Sequence, residues 1–245
     1  MIPGIFIAGT GTDVGKTVAT AGLLRFLRRH DAAESAMVMK PVQTGCEVDD
    51  KGRLRAPDVD FVLDAARVSV DDETLAHLVP YCFEPACSPH LAARIAGRRI
   101  ELETILASAR WLAERYGQLA VEAAGGLMVP LNEDHQMLDL TCEMEMPVLL
   151  VGHSGLGAIN HTLLSLEALR RRGCQVLGVA LNDAHAISAA DSYIHDDNVA
   201  CIASLGGVRV MRIPYLGAPP DLRVMDATFD RCEFLREYQA GVIRQ

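Results

Sequence analysis

The sequence has no surplus of basic residues: 23 Lys and Arg stand against 32 Asp and Glu, a formal net charge of −9 at pH 7. That balance argues against a nucleic-acid partner gripped through its phosphates, which calls for a basic face. The dense basic runs, Arg25–His30, Arg98–Arg99 and Arg170–Arg172, fall at the ends of predicted helices, where cations complement the carbonyl end of the dipole. No C-x-x-C pair occurs among the seven cysteines, Cys46, Cys82, Cys87, Cys142, Cys174, Cys201 and Cys232. Their odd number and scatter disfavour a disulfide framework and predict free thiols in a cytoplasmic protein. No apolar run approaches the length of a membrane span, and no basic residue precedes Lys16, so neither a membrane association nor a charged leader is expected. Internal repeats, low-complexity tracts and a clear domain linker are also missing.

What is present is alternation. Half of the residues are apolar, and short apolar runs alternate with longer helical patterns. Ile5–Gly9, Ala36–Lys40, Leu119–Ala123, Val148–Gly152, Val176–Asn182 and Val208–Ile213 read as strands, apolar on both parities as a doubly covered parallel sheet requires. Gly15–Arg29, Glu101–Tyr116, Ala158–Arg172 and Ser188–Ser204 read as helices, with Gly117 and Gly173 at two expected stops. The predicted fold is α/β, a doubly wound, mostly parallel sheet with helices on both faces, in one domain over 1–245. Residues from about 45 to 98 break the alternation with Pro57, Pro80, Pro85 and Pro89 and the acidic patches Glu47–Asp50 and Asp71–Glu73. They are expected to form a substrate-site insertion. The tail Asp226–Arg244 has the pattern of an amphipathic packing helix.

Four predicted strand ends carry polar groups to one edge. Residues 9–17, Gly-Thr-Gly-Thr-Asp-Val-Gly-Lys-Thr, lie between the first strand and the first helix. Glycines let backbone N–H groups approach a triphosphate, the helix amino end faces the anion, Lys16 reaches the β/γ-phosphates, and the Thr17 hydroxyl is a Mg²⁺ ligand. The spacing departs from the standard phosphate loop, being one residue longer counted from Gly9 or one shorter counted from Gly11. Lys40 opens Lys40-Pro-Val-Gln-Thr-Gly45 at the next strand end and is either a second cation beside the phosphates or a solvated terminus. Glu122 ends an apolar strand just ahead of Gly125 and Gly126, where a carboxylate needs a cation or the N–H groups of a glycine turn. Gly157-Ala-Ile-Asn-His161 opens a helix whose N-terminus can hold a carboxylate. No Ser-His-Asp arrangement and no metal-ligand histidine spacing is evident.

Together with Ser88-Pro-His90, Val121-Glu-Ala-Ala-Gly-Gly126 and Asn182-Asp183, these motifs occur in an order and spacing that resemble the dethiobiotin synthetase family, from about residue 5 to about residue 217. The longer phosphate loop is itself a feature of that family. The resemblance implies a P-loop, ATP- and Mg²⁺-dependent cyclo-ligase of biotin synthesis, acting on 7,8-diaminononanoate and CO₂ as a homodimer. It further implies that Lys40 is catalytic beside Lys16, and that Asp13, Val14, Gly15, Lys16, Thr17 and Val18 form the ATP loop. Glu122, Ala123, Ala124 and Gly125 border the nucleotide, with Ala123 standing where the family pattern has glycine. Asn182, Asp183, Pro214, Tyr215 and Leu216 resemble adenine-binding positions. Thr17, Asp58 and Glu122 match metal ligands, Asp58 also bordering ATP and Asp60 lying close enough to compete for the metal role. Thr44 and the helix start Gly157, Ala158, Ile159 and Asn160 match substrate contacts, the latter across the dimer.

Two alternatives share the loop and sheet. Amidoligases of cobalamin synthesis carry a glutaminase domain, for which 245 residues leave no room. Regulatory ATPases of the chromosome-partitioning type place another lysine early in the loop, and none precedes Lys16 here.

Overall fold

The computed structural model of the chain describes residues 2–30, 35–50, 52–188 and 190–241. The first apolar run forms β1 (Gly4–Gly9), buried along its whole length, and a tight turn leads into α1 (Lys16–His30). β2 (Met37–Met39) and β3 (Val42–Thr44) follow, then a hairpin of β4 (Glu47–Val48) and β5 (Leu54–Arg55). Pro57 starts α2 (Pro57–Ala66), where its preset φ and missing N–H suit a first turn. Asp71 caps α3 (Asp72–Leu78) by accepting from the Thr74 N–H at 2.8 Å. One of the acidic patches therefore has a local structural use.

β6 (Tyr81–Phe83) and α4 (Pro89–Ile95) complete the insertion. Regular alternation then resumes with α5 (Leu102–Tyr116), β7 (Leu119–Glu122), α6 (Met137–Glu143), β8 (Val148–His153) and α7 (Ala158–Arg171). β9 (Val176–Asn182), α8 (Ser192–Gly206), β10 (Val210–Ile213), α9 (Leu222–Asp230) and α10 (Glu233–Gln239) end the described chain.

Six strands make one parallel sheet in the order β10-β9-β8-β1-β7-β2. β1 connects outward to β2 at one edge, and β8 connects outward through β9 to β10 at the other. Because parallel crossovers are right-handed, opposite travel puts α1 and α7 on opposite faces. The apolar strands are thus covered twice, and the carboxyl ends of all six open on one edge. Ligands are expected there, where the strand order reverses around β1.

Most predicted elements begin and end within two residues of the observed ones. Two begin late: the strand expected from Val208 starts at Val210, and the helix expected from Ser188 starts at Ser192, with position 189 outside the described residues. The single helix expected over Asp226–Arg244 is instead α9 and α10, broken at Arg231–Cys232, while 242–244 lie outside the described residues. Phe229 and Phe234 are both buried. In one straight helix they would point about 140° apart, so the break lets both reach the core. The Tyr238 hydroxyl then donates to the Gly4 carbonyl at 2.9 Å, tying the tail to β1.

The basic runs have structural partners. Arg25 and Arg29 both pair with Asp226 of α9, Arg170 donates to the Gly206 carbonyl, and Arg172 pairs with Asp139. The expectation of free thiols throughout is corrected at Cys46 and Cys82, which form a disulfide across 36 residues of sequence with Cα atoms 6.3 Å apart. The reason is tertiary. β3 pairs in parallel with β6, Thr44 opposite Phe83, and this brings the two cysteines together. Among the described residues, no helix is long and apolar enough to cross a membrane.

Candidate active site

A cleft of about 750 Å³ opens at the carboxyl edge beside β1, β2 and β7. Its floor is the turn over residues 10–15. Gly9, still in β1, is held by close packing: a Cβ there would lie 2.8 Å from the Lys16 side chain and 2.9 Å from the Gly125 carbonyl. A Cβ at Gly11 would make only ordinary contact with Val14, at 3.9 Å, so the packing constrains Gly9, the start of the longer spacing, and not Gly11. Gly15 has φ +94°, and a Cβ there would lie 2.2 Å from the Asn182 amide. The turn and the end of β9 are therefore fitted to each other. Asp13 also takes a left-handed backbone, φ 59°, which aspartate tolerates better than most residues.

Four charged side chains meet over this turn. Lys40 Nζ lies 2.6 Å from both Asp58 Oδ2 and Glu122 Oε1. Thr17 Oγ1 donates to the same Glu122 oxygen at 3.0 Å, and Lys16 Nζ bends back onto the Gly11 carbonyl at 2.7 Å. Lys40 is 4% exposed and Glu122 1%, so neither could be charged there alone.

Their charge states follow from these neighbours. Burial opposes the charge on Lys40, but Glu122 and Asp58 outweigh it and raise its pKa above the ordinary lysine value. Burial works against Asp58 as well. The Lys40 charge and hydrogen bonds from Lys40, Gln43 and Thr17 overcome it and hold the carboxyl below the usual range. Lys16 differs. Burial, helped by the charge of Lys40, pushes it down to about 8, with Glu122 and Asp58 resisting. Lys16 therefore lacks an anion of its own and gains most if one arrives. The hydroxyl of Thr17 and the carboxylates of Asp58 and Glu122 are hard oxygen donors of the kind Mg²⁺ takes.

The cleft brings together Asp13, Gly15, Lys16, Thr17, Val18, Lys40, Thr44, Asp58, Glu122, Ala124 and Gly125. Asp60 points elsewhere: it pairs with Arg55 at 2.9 Å and faces a separate hollow. Val14 and Ala123 are buried and do not line the cleft. Asn182, at the end of β9, reaches the loop through Gly15. Pro214, Tyr215 and Leu216 follow directly after β10, with Tyr215 exposed and Leu216 buried.

The Asp183 carboxylate is consumed within the fold. It accepts from Ser154 Oγ at 2.5 Å and from Arg212 Nε at 2.9 Å, while His195 Nδ1 reaches Ser154 Oγ at 2.8 Å. Gly157–Asn160 lie outside the cleft, beside an apolar hollow between α7 and α8. Gly157 begins α7 with φ 90° and no side-chain cap.

Some lining residues escaped the sequence reasoning. Gln43 is buried. Its amide N–H groups serve Asp58 and the Thr44 carbonyl at 3.0 Å, while its Oε1 has no partner among the described residues. Its position inside the Lys40–Gly45 motif was the available signal. Val129, Ala86 and Cys87 come from segments folded over the cleft, and no local pattern marks them.

A family model described as an AAA domain matches residues 3–222. The chain is 37% identical over 230 residues to the ATP-dependent dethiobiotin synthetase BioD of Haloferax mediterranei, covering 94% of this chain and 90% of that protein. It is 37% identical over 245 residues to the protein of the same name from Rhodopseudomonas palustris, covering 97% of this chain and 98% of the relative. Among solved structures, the MinC:MinD cell division protein complex of Aquifex aeolicus matches with TM-score 0.56 at 12% identity, covering 99% of this chain and 96% of that one, a likeness of fold.

Proposed function

Since the chain belongs to the dethiobiotin synthetase family and is an ATP-dependent ligase, we propose that its cleft joins CO₂ to 7,8-diaminononanoate and closes the cyclic urea of dethiobiotin. The observation that carries this reading is the meeting of Lys16, Lys40, Asp58, Glu122 and Thr17 over the phosphate turn.

The chemistry needs no side-chain nucleophile. One amine of the diamine adds to CO₂ and loses a proton, giving a carbamate. A carbamate oxygen attacks the γ-phosphorus of ATP, the bond to the bridging oxygen breaks, and ADP leaves. The second amine attacks the carbonyl carbon of the mixed anhydride, the carbon–oxygen bond to phosphate breaks, and the ring closes.

The difficulty is that two anions must touch. Unit charges about 4 Å apart interact by roughly 4 kcal/mol at an effective dielectric of about 20. One well-placed ammonium offsets a repulsion of that size. Lys16 supplies it at the β/γ-phosphates and Lys40 at the transferring group. Mg²⁺, held by Thr17, Asp58 and Glu122, neutralises triphosphate charge when bound.

In the same reading, Asp13, Gly15–Val18, Asp58, Glu122, Ala124 and Gly125 border ATP, and Val14 and Ala123 serve it through their backbones. Asn182 and Pro214–Leu216 border its base, and Asp183 serves that site through the backbone. Thr44 contacts the diamine. The substrate carboxylate is received by Gly157–Asn160 of a second copy of the chain. The uncapped start of α7 supports this, as does the exposed apolar surface around it, where Leu156 is 96% exposed and Leu164 and Tyr193 are also open. The enzyme works in the cytoplasm, where ATP is supplied.

The test is incorporation of labelled bicarbonate into a ring-closed product from 7,8-diaminononanoate, with and without ATP. ATP-dependent labelling is expected. ATP hydrolysis indifferent to diamine and bicarbonate, but stimulated by DNA or lipid, would overturn the reading in favour of a partitioning-type ATPase.

A further inference from the structure

Away from the cleft, two cysteines unused by the chemistry above lie side by side. Cys142 is in the last turn of α6 and Cys174 lies between α7 and β9, and their Sγ atoms are 2.9 Å apart. A disulfide has its sulfurs about 2.05 Å apart, so closure needs a movement of under about 1 Å. Both side chains are partly exposed, within reach of a small reagent. Arg172 bonds to Asp139 of α6 at 2.8 Å, and the Cys174 N–H donates to the Leu169 carbonyl at 3.0 Å. These contacts hold the two segments together whether or not the sulfurs are joined.

We infer that Cys142 and Cys174 are an oxidation site, forming a reversible disulfide with a low-molecular-weight disulfide such as oxidised glutathione as the oxidant. One thiol of the pair loses its proton and attacks one sulfur of the reagent. The reagent's S–S bond breaks and one small thiol leaves. The other thiol then gives up its proton and attacks the protein sulfur of the mixed disulfide, and the second small thiol leaves. Two protein thiols are oxidised, and the reagent takes up two electrons and two protons. Burial and the adjacent Cys142 push the Cys174 thiol up, so exchange with the reagent is expected to be slow near neutral pH.

The placement also decides the consequence. Cys174 precedes β9 at the amino edge of the sheet, opposite the cleft. The bond would staple α6 to the entrance of β9 and leave the catalytic edge alone. Stability is therefore expected to change while turnover does not.

The full-length protein is incubated with oxidised glutathione, alkylated with iodoacetamide and digested. Cys46 and Cys82 are mapped separately, and Cys87, Cys201 and Cys232 serve as internal controls. The expected result is a peptide pair joined through Cys142 and Cys174, two hydrogens lighter than the reduced pair. Tm should rise by roughly 5–10 °C, and dithiothreitol should release the joined pair. In Cys142→Ser the joined pair and the rise should both be missing. Alkylation of both cysteines after the oxidant treatment, a stable mixed disulfide on either one, or a Tm rise that survives in Cys142→Ser would each overturn the inference.

Discussion

Two clusters of buried charge stand at the same edge of the sheet and have different fates. At β1, β2 and β7, Lys40 bridges Asp58 and Glu122 inside an open cleft. At β8, β9 and β10, Arg212 and Ser154 close on Asp183, and none of the three lines that cleft. Both sets of charges are compensated, as burial demands. Only the first compensates itself with groups that a ligand can replace: a lysine that can turn to a phosphoryl group, and carboxylates that can turn to a metal. In the second cluster the partners are fixed by three strand ends and by His195 and Asp196 of α8, and they order the backbone near Asn182. Buried charge alone therefore does not distinguish a reaction centre from a structural clasp; access does.

Substitutions can break or sharpen that contrast. Lys40→Ala is expected to have the largest effect, cutting turnover by about 10²–10³-fold while nucleotide binding persists. A steady-state rate with a parallel nucleotide titration checks this, and near-normal turnover would remove Lys40 from the mechanism. Asp183→Asn should act the other way. Losing charge-assisted bonds to Arg212 should cost about 1–3 kcal/mol of stability, read by denaturant titration, with turnover at saturating ATP preserved.

The pH dependence of nucleotide binding probes the first cluster without disrupting it. Lys16 titrates at about 8 in the free protein, and bound phosphate favours its charged form, so the pKa rises on binding. Affinity should be full below about pH 8 and fall by up to about tenfold per unit above it. Lys16→Arg, always charged, should flatten that slope whatever its absolute affinity. A slope that persists in the variant would assign the titration to another group. The smallest effect is expected at Asp60→Asn, which loses only an exposed ion pair worth about 0–1 kcal/mol. Asp58→Asn should instead raise the Mg²⁺ concentration needed for half-maximal activity, and equal effects at the two positions would remove the distinction between them.

Much of the frame was legible beforehand because it depends on short-range signals. Doubly apolar runs such as Val176–Asn182 identify strands covered on both faces, and the Gly9–Thr17 turn announces its own chemistry. The insertion was harder to read. Its helices are short, α3 spanning Asp72–Leu78 and α4 Pro89–Ile95, too few residues for a periodicity to stand out. The disulfide between Cys46 and Cys82 was missed because it depends on β3 pairing with β6, which no local pattern encodes. The same limit left Asp58 and Asp60 unresolved, since two residues on one helix turn differ only in what they face.

From its residues alone the chain determines a parallel α/β sheet and a phosphate turn, since periodicity and turn chemistry act over a few neighbours; the ligase family came from the resemblance of several motifs taken in order. Tertiary structure alone decided which charges meet. Lys40 finds Asp58 across 18 positions and Glu122 across 82, and Thr17 finds Glu122 across 105. Electrostatic compensation depends on ångströms in space, and separations of that length carry no distance until the sheet has closed.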